Sequence, residues 1–231
     1  MKKIMLAIVF AVVIFFVVIS GIRARMNVIP VDERFFDVTV ILDAGHGGKD
    51  GGASSDSGVI ERDLVLLITR EVESHLRLAG IEVILTRDED NDLASPGAKR
   101  RKREDLNNRL EIINGVENAI AISIHANSTT NRRWSGAQTF YDPKSLENKQ
   151  LAAAIMNSMR GNIEGLTREQ KAISNIYILR HSNVPTTLVE VGFLSNSTEA
   201  DLLADEDYQA LIAYTIFEGI LAYLENPDSE G

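Results

Sequence analysis

Apolar positions along the chain follow three rhythms. The first is an unbroken run: Ile4 to Ile22 carries no charged side chain, with Lys2 and Lys3 before it and Arg23 and Arg25 after it. As a helix those residues would extend roughly 28 Å, close to the ~30 Å hydrocarbon core of a bilayer. The run therefore reads as an N-terminal membrane anchor (1–25). A cleaved signal peptide, cut near Gly21, is the alternative. Both readings place the rest of the chain outside the cytoplasm, on the outer side of the membrane.

The second rhythm is a set of short β-branched runs, each predicting a strand: Val38–Leu42, Ile81–Thr86, Ala119–Ile124, Gly136–Tyr141, Ile176–Leu179 and Thr187–Val191. The third is helical spacing. Leu64, Leu67, Ile68, Val72, Leu76 and Ala79 form one stripe, which Gly80 ends. Further helices are predicted at about Asp105–Asn114, Leu146–Ile163 and Tyr208–Leu224, with a short one after Asn196-Ser197-Thr198-Glu199, a capping-box pattern. Strands and helices alternate, so the predicted fold is α/β: a mostly parallel, twisted sheet flanked by helices on both faces. After a linker (26–37) a single domain is expected over 38–225, with a short tail (226–231) and no internal repeat.

Composition removes several options. The 231 residues include no cysteine, which excludes disulfides, thiolate metal sites and a cysteine nucleophile. Any metal must be held by His, Asp or Glu. Four of the 24 basic residues and none of the 33 acidic ones lie in the first 25 positions, so the remainder carries a net charge of −13. Nucleic acid is not the expected partner of so acidic a domain.

The chain has four histidines. His46 follows the first predicted strand and His125 the third, and strand C-termini are where sites assemble in a parallel sheet. Glu190 lies at the end of the last predicted strand, in Thr-Leu-Val-Glu-Val-Gly-Phe, where a carboxylate among apolar neighbours needs a charged partner or a metal. Glu61 lies where a loop carrying six of the 16 glycines enters the first helix. Two imidazoles and one carboxylate suit Zn²⁺ with an open fourth position, and a water held there has its pKa lowered to ~7. A second carboxylate would serve as general acid/base. The residues alone leave open how Glu61 and Glu190 divide these duties. His75, late in a helix, and His181, in a loop before Pro185, read as structural. The run Lys99-Arg100-Arg101-Lys102-Arg103 reads as a solvated face, or as a grip for an anionic glycan or lipid head groups.

Four blocks carry a resemblance to a known family: Leu-Asp-Ala-Gly-His-Gly-Gly-Lys-Asp-Gly-Gly-Ala (42–53), Glu61, Ser-Ile-His-Ala-Asn (123–127) and Leu-Val-Glu-Val-Gly-Phe-Leu-Ser-Asn (188–196). In this order and spacing they resemble the zinc-dependent N-acetylmuramoyl-L-alanine amidases of the amidase_3 type, over about residues 38–224. The resemblance implies Zn²⁺ held by His46, Glu61 and His125, with Glu190 as the catalytic glutamate. Proline stands at the position of Ala44 in many members. The apolar N-terminal run, the basic stretch before Glu104-Asp105-Leu106, and Trp134-Ser135-Gly136-Ala137-Gln138 resemble the CwlD-type branch of spore-forming bacteria. That likeness implies cleavage of the muramic acid–L-alanine amide in peptidoglycan of the spore cortex, a step toward muramic δ-lactam. A general cell-separation amidase and a catalytically silent wall-binding regulator are the alternatives. Peptidoglycan strands with their peptide stems are the expected partner, and the family leaves room for an activating protein.

Overall fold

The computed structural model describes residues 37–226. The apolar run Ile4–Ile22, the linker up to residue 36 and the last five residues lie outside the described residues.

A six-stranded sheet forms the centre. Its strands are β1 (Thr39–Ala44), β2 (Glu82–Leu85), β3 (Ala119–Asn127), β4 (Gln138–Tyr141), β5 (Lys171–Ala172) and β6 (Thr186–Phe193), in the spatial order β2-β1-β3-β6-β4-β5. The four strands from β2 to β6 run parallel, while β4 pairs antiparallel with β6 and carries β5 parallel to itself. The expected mostly parallel sheet is therefore present, with a reversed edge. The helices are α1 (Glu61–Leu78), α2 (Arg101–Asn114), α3 (Leu146–Asn162), α4 (Tyr177–His181), α5 (Ser197–Leu203) and α6 (Glu206–Glu225).

Strand alternation divides the helices between the two faces. On β1, Ile41 joins Ala119, Ala121, Ile113 of α2 and Ile178 of α4 in one buried cluster. The opposite face takes α1 and α3, which pack on the sheet and on α6. Thr139 of β4 points that way and donates its hydroxyl to the Ala152 carbonyl of α3 (2.8 Å).

Three local features differ from expectation. Ile176–Leu179 is not a strand; it opens α4, where Arg180 and Ser182 donate backbone N–H groups to the carbonyls of Ile176 and Ile178. A four-residue apolar run carries no period, so packing decides its form. Second, α2 begins at Arg101, inside the basic run, rather than near Asp105. Cations at a helix N-terminus oppose its dipole, and Arg101 offsets this by clamping both oxygens of Asp92 (2.6 and 2.7 Å). Third, β5 is too short to leave a sequence signal.

Candidate metal centre

The register of the sheet lines up the polar residues on one face. Asp43 pairs with Ser123, and two residues further on His125 pairs with Glu190, which in turn pairs with Gln138 of β4. His125 and Glu190 lie inside their strands, since β3 runs on to Asn127 and β6 to Phe193. Just past this pair the β3–β6 register shifts at Val191-Gly192, an irregularity of the kind that re-aims side chains at sites.

The glycine loop brings the other two groups to this line. Gly47 and Asp50 exchange backbone hydrogen bonds (2.9 and 3.1 Å), closing a tight turn that holds His46 at φ 60°. No other non-glycine among the described residues has positive φ, a conformation that costs of order 1–3 kcal/mol. Two buried arginines hold the turn in place. Arg109 donates to the carbonyls of Ala44 (2.6 Å) and His46, while Arg87 donates to those of Ala44 and Gly45 (both 2.9 Å). Glu61 opens α1, where a carboxylate is favoured by the helix dipole. Its Oε2 accepts from Ala53 N–H (2.8 Å) and its Oε1 from Ala126 N–H (3.1 Å).

Three ligand atoms converge as a result. Glu61 Oε1 lies 3.1 Å from His46 Nε2 and 3.0 Å from His125 Nδ1, and the three lie within 4.8 Å of one another. Ligands at zinc distances of 2.0–2.1 Å in a tetrahedron stand about 3.3 Å apart, so the triad fits a zinc ion. Close approach depends on glycine at two positions. A Cβ on Gly45 would lie 2.3 Å from the His125 ring, and one on Gly52 would lie 2.4 Å from Glu61 Oε2. Asp50 Oδ1 stands 3.1 Å from His46 Nδ1, and Lys102 Nζ reaches the other Asp50 oxygen (3.3 Å). The pair falls short of hydrogen-bond geometry, since His46 Nδ1 is buried without a hydrogen-bond partner, so Asp50 acts on the ring through its charge.

The charges follow from these contacts. Burial pushes Glu61 up, but hydrogen bonds and charge from His125 and His46 outweigh it and hold the carboxyl well below its usual range. Burial pushes His125 down, but Glu61, Glu190 and Asp43 together raise it. Glu190 goes the other way. Burial lifts it to about 7, helped by the Glu61 charge and opposed by the two histidines, and its Oε2 is buried without a hydrogen-bond partner. A carboxyl poised near neutrality beside a metal triad is suited to accept and return a proton.

A raised carboxyl costs stability as it ionises. In the metal-free chain the Glu190 contribution is fully present below about pH 4.5 and is lost as pH rises through about 7. Glu190→Gln should flatten that part of the stability–pH curve relative to the parent chain, read by urea unfolding in chelator. Parallel curves would place Glu190 in a solvated environment.

His46, Glu61, His125 and Glu190 come together as the sequence suggested. His75 is packed against Phe217 (5.4 Å) and Tyr214 (5.9 Å), and His181 ends α4 against Tyr177 (4.6 Å), so neither joins the centre. Three contributors were not singled out from sequence. Asp50 had a signal, its place four residues after His46 in the same turn. Arg109 had one as well: Asp105, Arg109 and Ile113 recur every fourth residue on the buried side of α2. Arg87 had none. Asp43, on the same face of the sheet, spends its oxygens on Thr86 (2.7 Å), Ser123 (2.6 Å) and Arg109 (2.7 Å). Burial pushes Asp43 up, but Arg109 and the two hydroxyls outweigh it and hold it at about 2. Arg109→Met leaves that carboxylate buried and unpaired, and should lower stability by about 3–5 kcal/mol in urea unfolding. A loss below about 1 kcal/mol would mean that the pair is dispensable.

A cavity of about 210 Å³ opens beside the triad, lined among others by His46, His125, Ser123, Leu188 and Tyr177.

The profile of the N-acetylmuramoyl-L-alanine amidase family matches residues 40–222. The germination-specific N-acetylmuramoyl-L-alanine amidase of Bacillus subtilis (strain 168) is 44% identical over 187 residues, covering 80% of this chain and 78% of that protein. The CwlD amidase of Clostridioides difficile, solved in complex with the GerS lipoprotein, matches with a TM-score of 0.78 and 38% identity over 81% of this chain and 98% of its own. The amidase AmiC2 of Nostoc punctiforme matches with a TM-score of 0.72 and 32% identity over 82% and 98%.

Proposed function

Because the chain belongs to the N-acetylmuramoyl-L-alanine amidase family, we propose that it hydrolyses the muramoyl–L-alanine amide of spore-cortex peptidoglycan with one zinc ion held by His46, Glu61 and His125. One observation carries the metal assignment: three ligand atoms from β3, α1 and the glycine loop converge within 4.8 Å, with Glu61 Oε1 3.0 and 3.1 Å from the two imidazoles. A bound zinc supplies a Lewis acid for the lactyl carbonyl and lowers the pKa of the attacking water.

The chain's own residues do the rest. Glu190, neighbour of His125 across β3 and β6, takes a proton from the water as its oxygen bonds to the carbonyl carbon. It then delivers the proton to the alanine nitrogen as the C–N bond breaks, leaving a free lactyl carboxyl and a free stem amine. Asp50 sets a carboxylate charge beside the His46 ring, and Arg109 and Arg87 hold the backbone on either side of it.

The cortex role rests on the 44% identity to the germination-specific enzyme. The apolar run Ile4–Ile22 would hold the domain on the outer side of the membrane, within reach of the innermost wall. The C. difficile relative solved in complex with a lipoprotein supports a protein partner for this chain too.

Mass spectrometry of peptidoglycan digested by the purified chain, with zinc and with chelator, tests the reading. Free peptide stems and lactyl-bearing glycan should appear only with zinc. Cleavage within the glycan or within the stem would overturn the amidase assignment, and equal yields in chelator would overturn the metal.

A further inference from the structure

The motif Trp134-Ser135-Gly136-Ala137-Gln138 takes no part in the metal centre, yet the fold places it next door. Gln138 is the register partner of Glu190 on β4, on the side of Glu190 away from His125. Directly opposed residues of an antiparallel pair share a face, and neighbouring strands are about 4.8 Å apart. Arg168, hydrogen-bonded to Gln138, lines a cleft of about 650 Å³ together with Trp134, Asn196, Leu202 and Tyr208 among others.

Trp134 is half exposed, with a relative accessibility of 51%, and it is the only tryptophan of the chain. Its loop is pinned at three consecutive residues. Asn196 Nδ2 donates to the Trp134 carbonyl (3.3 Å), Arg168 Nε to the Ser135 carbonyl (2.7 Å), and Gly136 N–H to Glu199 Oε1 (2.8 Å). Gly136 has φ 90°, and a Cβ there would press on Leu166 at 3.0 Å. The Arg168 guanidinium lies 5.1 Å from the centroids of both Trp134 and Phe193, and its Nη1 donates to Gln138 Oε1 (2.9 Å). The indole is thus backed by a cation, half exposed, and part of the cleft lining. A preorganised aromatic surface gains contact area without the entropy of ordering a loop.

Pyranose rings present C–H groups on their faces and hydroxyls and N-acetyl groups at their edges. They stack on an exposed indole while polar side chains of the lining, here Tyr208 and Thr198, stand at the cleft. We infer that the cleft over Trp134 is a subsite for the glycan strand, in which an N-acetylhexosamine ring next to the reacting muramic acid stacks on Trp134 backed by Arg168. The inference rests on the amidase reading and deepens it. The metal side of Glu190 takes the scissile amide, and the Gln138 side takes the sugar chain. Tight binding of the glycan would then compensate for the small volume of the metal-side cavity.

The single tryptophan is its own reporter. Titrating the full zinc-loaded chain with chitohexaose should give a saturable shift in indole emission. Arg168→Ala should weaken half-saturation roughly three- to tenfold, the scale of a cation–π contact. On polymeric peptidoglycan, Trp134→Ala should raise KM roughly tenfold with kcat and zinc content held, and Trp134→Phe should recover most of the loss. Emission indifferent to chitohexaose, or shifted by a free stem peptide and not by the sugar, would overturn the subsite. So would an unchanged KM in Trp134→Ala. Chitohexaose has no muramoyl amide, so its binding is read independently of hydrolysis. A parent chain that binds the sugar and releases no stems would sink the amidase reading and leave the subsite standing.

Discussion

His125→Ala should lose the zinc and reduce turnover to that of the chelated chain. The triad has no reserve. Glu61 Oε1 lies between the two imidazoles at 3.0 and 3.1 Å, and no other group of three such ligand atoms gathers this closely among the described residues. Removing one of three protein ligands leaves a two-ligand site, and affinity falls by more than the 10- to 100-fold typical of outer-shell changes. His46→Asn is the better companion variant than His46→Ala, because asparagine tolerates the left-handed backbone at this position. Metal content by mass spectrometry, with circular dichroism to confirm the fold, decides the matter. A His125→Ala chain that is folded and still binds one zinc at parental affinity would remove His125 from the ligand set.

Glu190→Gln should separate chemistry from binding. The amide keeps the shape of the carboxyl but can neither take a proton from water nor return one to the leaving nitrogen. Turnover should fall about 10²- to 10⁴-fold, the range for a general acid/base, with zinc content unchanged. Glu190 is the register neighbour of His125 and its Oε2 has no protein partner, so no contact that builds the triad is lost. KM should change little. If Glu190→Gln instead lost zinc together with activity, Glu190 would be a ligand and the general base would have to be sought elsewhere. Because a bound cation draws the Glu190 pKa down from about 7, the acid limb of the kcat–pH profile should lie below that value in the zinc-loaded chain and disappear in the variant.

Much of the centre was legible in the sequence because each functional residue sits where its local signal is strong. His125 closes one apolar run at its C-terminal end and Glu190 interrupts another, where a carboxylate needs a reason of the kind burial enforces. His46 lies in a loop too rich in glycine for anything but close backbone approach, and Glu61 opens a helix whose apolar stripe is unmistakable. The alternation of strand and helix was enough for a mostly parallel sheet, since parallel neighbours require crossovers.

Other features depended on contacts between distant segments. The reversal of β4 cannot be read from a run that looks the same in either direction, and it is this reversal that puts Gln138 beside Glu190. Four residues at Ile176–Leu179 form a helix turn rather than a strand because Ile178 packs onto Ala119 and Ala121 and the backbone finds its partners locally. Asp43 is held by Arg109, 66 positions later, a pairing with no mark in the sequence around either residue. The sequence by itself determined the class of the fold and which residues gather at the candidate site, because burial and backbone geometry leave local marks. Which polar group holds which, and what stands on the far side of Glu190, was decided by the register of the sheet and the docking of α2, which bring together residues with no relation along the chain.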